Sequence, residues 1–203
     1  MAKAVLISIR PAWCEKIARG ETTVEVRKTR PKLETPFKCY IYCTMDHPYI
    51  SISCGELDKL NYRTNTVGRC NGKVIGEFTC DNIATYNYDY CPHPEIGMDY
   101  DCCDSWWEID DEDLESACLA EKEFRDYAFG REEMYGWHIS NLKIYDMPKQ
   151  LSAFKGLCKI EVGCGECPYY NYTKMECDGR TIKRPPQSWC YVEEQRWPYV
   201  NLL

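Results

Sequence analysis

The sequence predicts a mainly-β, α+β protein built as one small closed or nearly closed barrel with flanking helices and a cysteine-rich loop. Short runs with the two-residue period of a half-exposed strand recur along it, as in Val24-Glu25-Val26-Arg27-Lys28 and Phe37 to Cys43. Strong turn signals such as Asn71-Gly72 separate these runs. The 16 tyrosines and 6 tryptophans are a surplus that pleated surfaces accommodate well and that base stacking can use. At 203 residues the chain is long enough for one well-buried core, so 1–203 reads as a single domain.

Taken in order, Ala4 to Ile9 is an apolar strand entering the core. Pro11 to Gly20 is a short helix: Pro11 suits a first turn, Trp13, Cys14 and Ile17 share a face, and Gly20 ends it. Strands follow at 24–28, 37–43 and 73–80, the last carrying Val74, Ile75 and Phe78. Two pieces without period, 46–69 and 86–107, read as insertions, the first with a short helix near 56–62. Asp110 to Ala128 reads as one acidic helix with Leu114, Ala117, Cys118 and Phe124 at helical spacing and Asp111 or Asp113 as cap. Gly136 to Tyr145 returns to strand alternation, 158–183 is the cysteine-rich loop, and Ser188 to Glu193 is the last strand.

The net charge of -7 gives the whole molecule no attraction for polyanions, so any nucleic-acid contact must come from a local basic patch. No run approaches the roughly 20 apolar residues of a membrane span, and MAKAVLISIRP lacks the apolar core of a signal peptide. A cytoplasmic location with no membrane partner is the expectation. Fifteen cysteines at uneven spacing in that compartment read as reduced thiols, several buried, with one cluster holding metal. Cys164-Gly165-Glu166-Cys167 has the form of a knuckle that lets two thiolates grip one zinc ion, and Cys177 follows in a polar loop. Cys190 or Cys158 would complete a closed, structural Zn2+ site; free thiols are the alternative. Cys91, Cys102 and Cys103 are too irregular to assign.

Glu25 and Arg27 lie two apart on a strand and leave from the same face. A carboxylate beside a guanidinium keeps its charge and can orient a base edge or act as a general base; the plain alternative is a surface ion pair. A basic and aromatic set accompanies them: Arg10, Lys28, Arg30 and Lys32 near the start, Lys183 and Arg184 near the end, with Trp13, Trp137 and Trp189. Basic groups beside stacking platforms are what single-stranded nucleic acid requires, although tryptophans in apolar-periodic context also fill cores. His138, between Trp137 and Ile139, is a candidate proton shuttle that would need Glu25 nearby.

The segments Val5 to Pro11, Lys16-Ile17, Gly20 to Arg27, Phe37 to Thr44, Gly72 to Phe78, Tyr135 to Ser140 and Arg184 to Trp189 together resemble the ASCH domain, a PUA-like barrel. Among its members they are most similar to phage-encoded or Gram-positive bacterial ones. The resemblance implies RNA or nucleotide binding in a cleft beside the barrel, with enzymatic branches that deacetylate a modified cytidine or cleave RNA. Of the family's Gly-x-Lys-x-x-Glu-x-Arg pattern, Gly20, Glu25 and Arg27 match, while Thr22 stands at the lysine position. The cytidine branch uses that lysine catalytically and carries threonine at the Glu25 position, so this activity is not implied here.

The sequence therefore points to binding of RNA, single-stranded nucleic acid or a nucleotide by Arg10, Glu25, Arg27, Lys28, Arg30, Tyr135, Trp137 and Arg184. The alternatives are a hydrolase or ribonuclease with Glu25 as base and His138 as acid, and a non-catalytic factor that binds a protein partner through the acidic Asp110 to Glu123 face.

Overall fold

A computed structural model describes residues 2–52, 69–89, 106–158 and 163–195. The expected helix near 56–62 and Cys91, Cys102 and Cys103 lie outside the described residues, as does most of each proposed insertion.

Strand β1 (Lys3–Ile9) runs through a five-stranded sheet, parallel to β3 (Phe37–Cys43) and antiparallel to β11 (Trp189–Glu193). Strands β4 (Lys73–Cys80) and β8 (Ser140–Gln150) complete it in the order β11-β1-β3-β4-β8. Alternation explains why β1 is a continuous apolar run. Val5, Ile7 and Ile9 point into one cluster with Cys39, Ile41, Ile75 and Trp137. Ala4 and Leu6 point into another with Tyr40, Phe154 and Val192 on the opposite side of the sheet. A strand covered on both faces cannot show a polar face.

The second sheet holds β2 (Val24–Arg27), β7 (Glu133–His138), β5 (Ile83–Asp89) and β6 (Trp106–Trp107), in the order β2-β7-β5-β6. The chain turns from one sheet to the other at two corners, Asp81-Asn82 between β4 and β5 and Ile139 between β7 and β8. The Ile139 N–H donates to the Thr23 carbonyl at 2.8 Å, and the His138 N–H donates to the Asn82 carbonyl at 3.0 Å, tying the corners together. The two sheets thus curl around the shared cluster as a half-barrel, the mainly-β α+β architecture the sequence predicts.

Helix α1 (Pro11–Ala18) closes with Gly20 at φ +73°, where the Gly20 N–H reaches the Ile17 carbonyl and the Glu21 N–H reaches that of Lys16. This left-handed cap suits glycine and turns the chain into β2. The expected acidic helix is two helices, α2 (Asp111–Ser116) and α3 (Glu121–Ala128). Cys118 at φ 52° breaks them apart, and the cap of α2 is Asp110, whose carboxylate accepts the Asp113 N–H at 2.7 Å. Leu114, Phe124 and Ala128 pack on Val24, Val26, Tyr86 and Met134, covering the outer face of the second sheet. The expected strand 136–145 is likewise two strands, and the expected insertion at 86–107 begins inside β5.

The cysteine-rich segment forms a small ribbon of β9 (Tyr170–Asn171) and β10 (Glu176–Cys177). Among the described residues no helix is long and apolar enough to cross a membrane.

Candidate functional site

Strand β2 carries Val24 and Val26 toward the helices, so Glu25 and Arg27 leave from its other face, across from Trp137 and Tyr135 of β7. There they meet the carboxyl end of β1 and the start of α1 at a cleft of about 540 Å³. Its walls include Arg10 and Trp13 at the start of α1, Thr44 beyond β3, and Tyr127 of α3.

Arg27 is 8% exposed; its Nη2 donates to the Ser8 carbonyl at 2.6 Å and to Glu25 Oε1 at 3.0 Å, and the Tyr127 hydroxyl also interacts with the guanidinium. Among the described residues the buried Arg27 Nε–H has no hydrogen-bond partner, and neither has the buried Thr44 hydroxyl. Buried polar groups are almost always hydrogen-bonded, so these two atoms beside one cleft are exceptions, as are single atoms of Thr22, Tyr86, Trp137 and Arg180 elsewhere. Burial raises the Glu25 carboxyl above its ordinary value, and the opposing charge and hydrogen bond of Arg27 recover only part of the shift. Burial also raises the Tyr127 hydroxyl, against the pull of Arg27. The cleft therefore holds a fixed cation, a carboxylate biased toward its acid form, and a phenol that stays protonated at neutral pH.

Arg10, Glu25 and Arg27 come together here as the sequence suggests. Lys28 stands just outside, its Nζ 5.0 Å from the ring centre of Tyr127, and Arg30 covers Tyr135 at 5.8 Å. Trp13 lies at the wall with Lys16 over its ring at 4.2 Å. Trp137 is a correction: it is fully buried, edge-on to Phe37 and beside Trp189, and no base can stack on it in this structure. Arg184 is exposed on the segment leading to Gln187, and of that segment only Gln187 lines the cleft.

His138 is the second correction. It pairs with Val24, so alternation sends its ring away from Glu25, and it bonds Asp81 at 2.5 Å instead. The structure does not bring the expected acid and base together. Tyr127 and Thr44 are residues that sequence reasoning missed. Tyr127 follows Phe124 by three residues on α3, so it borders the packed stripe, a signal that spacing carries but that does not name the cleft.

On the ribbon, Cys164 to Cys167 forms the expected tight turn, with the Cys167 N–H reaching the Cys164 carbonyl at 3.3 Å. Burial raises the Cys177 thiol, but hydrogen bonds from the Gly179 and Arg180 N–H groups and the Arg180 side chain outweigh it and bring the thiol below its usual value. Cys190 sits on β11 opposite Leu6, against the second cluster. Among the described residues, no three cysteine, histidine or carboxylate side chains converge as a metal-binding group.

The fold and cleft define a mainly-β half-barrel with a polar pocket at the edge of its sheets. The fold is that of ASCH domains. It is similar to the crystal structure of ASCH from Zymomonas mobilis at 17% identity and a TM-score of 0.50, covering 94% of this chain and 88% of that one. Two substituted forms of the same Zymomonas mobilis protein are also similar, each at 18% identity. Their TM-scores are 0.49 and 0.48, with 95% and 94% of this chain and 92% and 89% of theirs covered. No protein-family model and no curated protein matches the chain.

Proposed function

We propose that the protein binds a nucleotide unit of RNA or another single-stranded nucleic acid in the cleft between β2, α1 and α3. The observation that supports this reading is Arg27, buried in the cleft wall and fixed by Glu25 and Ser8, with a buried Nε–H that has no hydrogen-bond partner among the described residues. A fixed, partly unsatisfied guanidinium suits a base edge or a phosphate oxygen. Arg10 adds an exposed cation, Trp13 and Tyr127 add aromatic surface, and the volume is in the range of small-ligand sites. Arg10 is the residue to test, because Arg27 also holds the fold together. Arg10→Ala is expected to weaken nucleotide binding about tenfold, the effect of one charge-assisted hydrogen bond, with no change in melting temperature. Unchanged affinity in a titration would remove the assignment.

One observation favours a hydrolytic reading of the same cleft. Burial raises the Glu25 carboxyl, and a raised carboxyl is a stronger general base than a free one. In that case Tyr127, not His138, is the proton donor within reach of the pocket. Glu25→Gln then abolishes turnover of RNA or a nucleoside while binding survives; turnover intact in that variant sinks the mechanism.

For the ribbon we propose that Cys164, Cys167 and Cys177, with Cys158 as the exposed fourth thiol, close on zinc when the ion is supplied. The turn at Cys164 to Cys167 and the N–H groups around the Cys177 sulfur support it.

A further inference from the structure

Beyond the cleft, we infer that the segment Lys28 to Lys32 and the aromatic shelf beneath it form a track for the backbone and bases of a single-stranded polynucleotide leaving the cleft. The inference rests on the proposed reading of the cleft and extends it from one nucleotide to a chain. Arg27-Lys28-Thr29-Arg30-Pro31-Lys32 places four cations in six residues without one acid, in a molecule whose net charge is -7. Among the described residues, none of Lys28, Arg30 and Lys32 joins an ion pair, whereas Arg19, Lys38, Lys122, Arg125 and Arg180 do. Of the four cations only Arg27 is therefore neutralised among those residues, by Glu25.

The segment is also held in place. The Lys32 N–H donates to the Tyr191 hydroxyl at 2.7 Å, and the Trp189 indole N–H donates to the Thr29 hydroxyl at 3.0 Å. Pro31 is buried between these anchors. Tyr127 lines the cleft and lies under Lys28, and Tyr135 stands across from Arg27 and lies under Arg30. Tyr191 packs against Trp189 at 5.3 Å. From the cleft outward the order is thus the buried Arg27, the half-buried Lys28 and the exposed Arg30 and Lys32, with the rings of Tyr127, Tyr135 and Tyr191 beside them. That is the pattern of a surface that grips phosphates and stacks splayed bases. A duplex cannot use it, since its bases are already stacked and paired. The nearby acids are Glu25, Asp46 and Glu123 on the cleft wall, Glu133, which is bonded to the Tyr135 hydroxyl, and Glu34, which follows Lys32 by two residues.

The test compares a nucleoside monophosphate, a labelled single-stranded decanucleotide as RNA and as DNA, and the corresponding duplex. The track predicts that the decanucleotide binds more tightly than the monophosphate and that the duplex competes poorly. It also predicts a log–log salt dependence that becomes shallower by about 1.4 in Arg30→Ala/Lys32→Ala, roughly 0.7 for each phosphate no longer neutralised. The decanucleotide-to-monophosphate affinity ratio falls in the same variant. An unchanged ratio and salt slope, with both ligands still binding the wild type, would overturn the track and leave the cleft standing. Binding of neither ligand by the wild type would overturn the cleft reading and the track with it. Equal competition by duplex would overturn the single-strand assignment. RNA and DNA binding alike assigns the track to the phosphates and bases; RNA alone adds the 2′-hydroxyl.

Discussion

Arg27→Ala is expected to destabilise the protein severely, in a way that depends on pH. The guanidinium is the partner of a carboxylate that is itself buried, with Glu25 9% exposed, and it also satisfies the Ser8 carbonyl. Removing one member of a buried pair leaves the other uncompensated, a loss of about 3–5 kcal/mol. For a chain of this size each kcal/mol shifts the melting temperature by about 2–4 °C, so the variant should melt about 6–20 °C lower near neutral pH. The sign of the pH effect follows from Glu25. Its folded pKa lies above the ordinary 4.5, so between those values the folded state holds more protons than the unfolded one, and stability falls as pH rises through that window. Without Arg27 the carboxyl loses the charge that holds it down, the window extends upward, and the deficit grows toward alkaline pH. Below about pH 4.5 the carboxyl is neutral in both states and the deficit shrinks. Adding Glu25→Gln should recover part of the loss near neutral pH, since no unpaired carboxylate remains. Thermal unfolding followed by tryptophan fluorescence at acid and alkaline pH distinguishes wild type, single and double variants. A melting temperature within about 2 °C of wild type, or a deficit that does not change with pH, would show that Arg27 does not offset a buried charge.

Gly136→Ala should unfold or repack the second sheet, because a Cβ there would clash with the Tyr86 hydroxyl oxygen, against a ring fixed edge-on to Phe124; a melting curve like that of wild type would contradict this. Phe154→Ala, at a fully buried ring packed on Tyr40, should cost about 3–5 kcal/mol in denaturant unfolding. Asp110→Ala should cost about 1 kcal/mol by freeing the Asp113 N–H, while Asp110→Asn should cost less. For the ribbon, native mass spectrometry of protein purified with zinc should show one bound ion, lost in Cys167→Ser; a mass equal to the bare chain under the same conditions removes the zinc proposal.

How much of this was legible in the sequence depended on how local the determining interaction is. Strands β1, β3, β4 and β11 announce themselves because packing on one or both faces fixes their pattern residue by residue. Strand β5 does not, since Thr85, Asn87 and Asp89 give it a polar face beside an irregular stretch that reads as loop. The acidic helix keeps its apolar spacing across the break at Cys118, because the two helices bury a common stripe on one sheet face, and periodicity alone cannot see a left-handed residue. The same limit applies to the site. Glu25 and Arg27 share a face by simple alternation, which spacing reveals. Whether Trp137 and His138 share that face depends on the register of β7 against β2, which is a tertiary fact. Tyr127 and Thr44 reach the cleft from elements far apart in the chain, so no short pattern connects them to Arg27.

A nucleotide bound in the cleft would change the surroundings of the Arg27 guanidinium, and its Nε–H proton can be observed directly. In nitrogen-15-edited NMR spectra of the full chain, titration with a nucleoside monophosphate should shift the Arg27 Nε–H resonance in step with the Trp13 indole signal and saturate. The Arg10→Ala variant should need more ligand to reach the same shift. An Arg27 resonance that stays in place while the ligand saturates the protein, or spectra that do not change at all, would contradict nucleotide binding at Arg27.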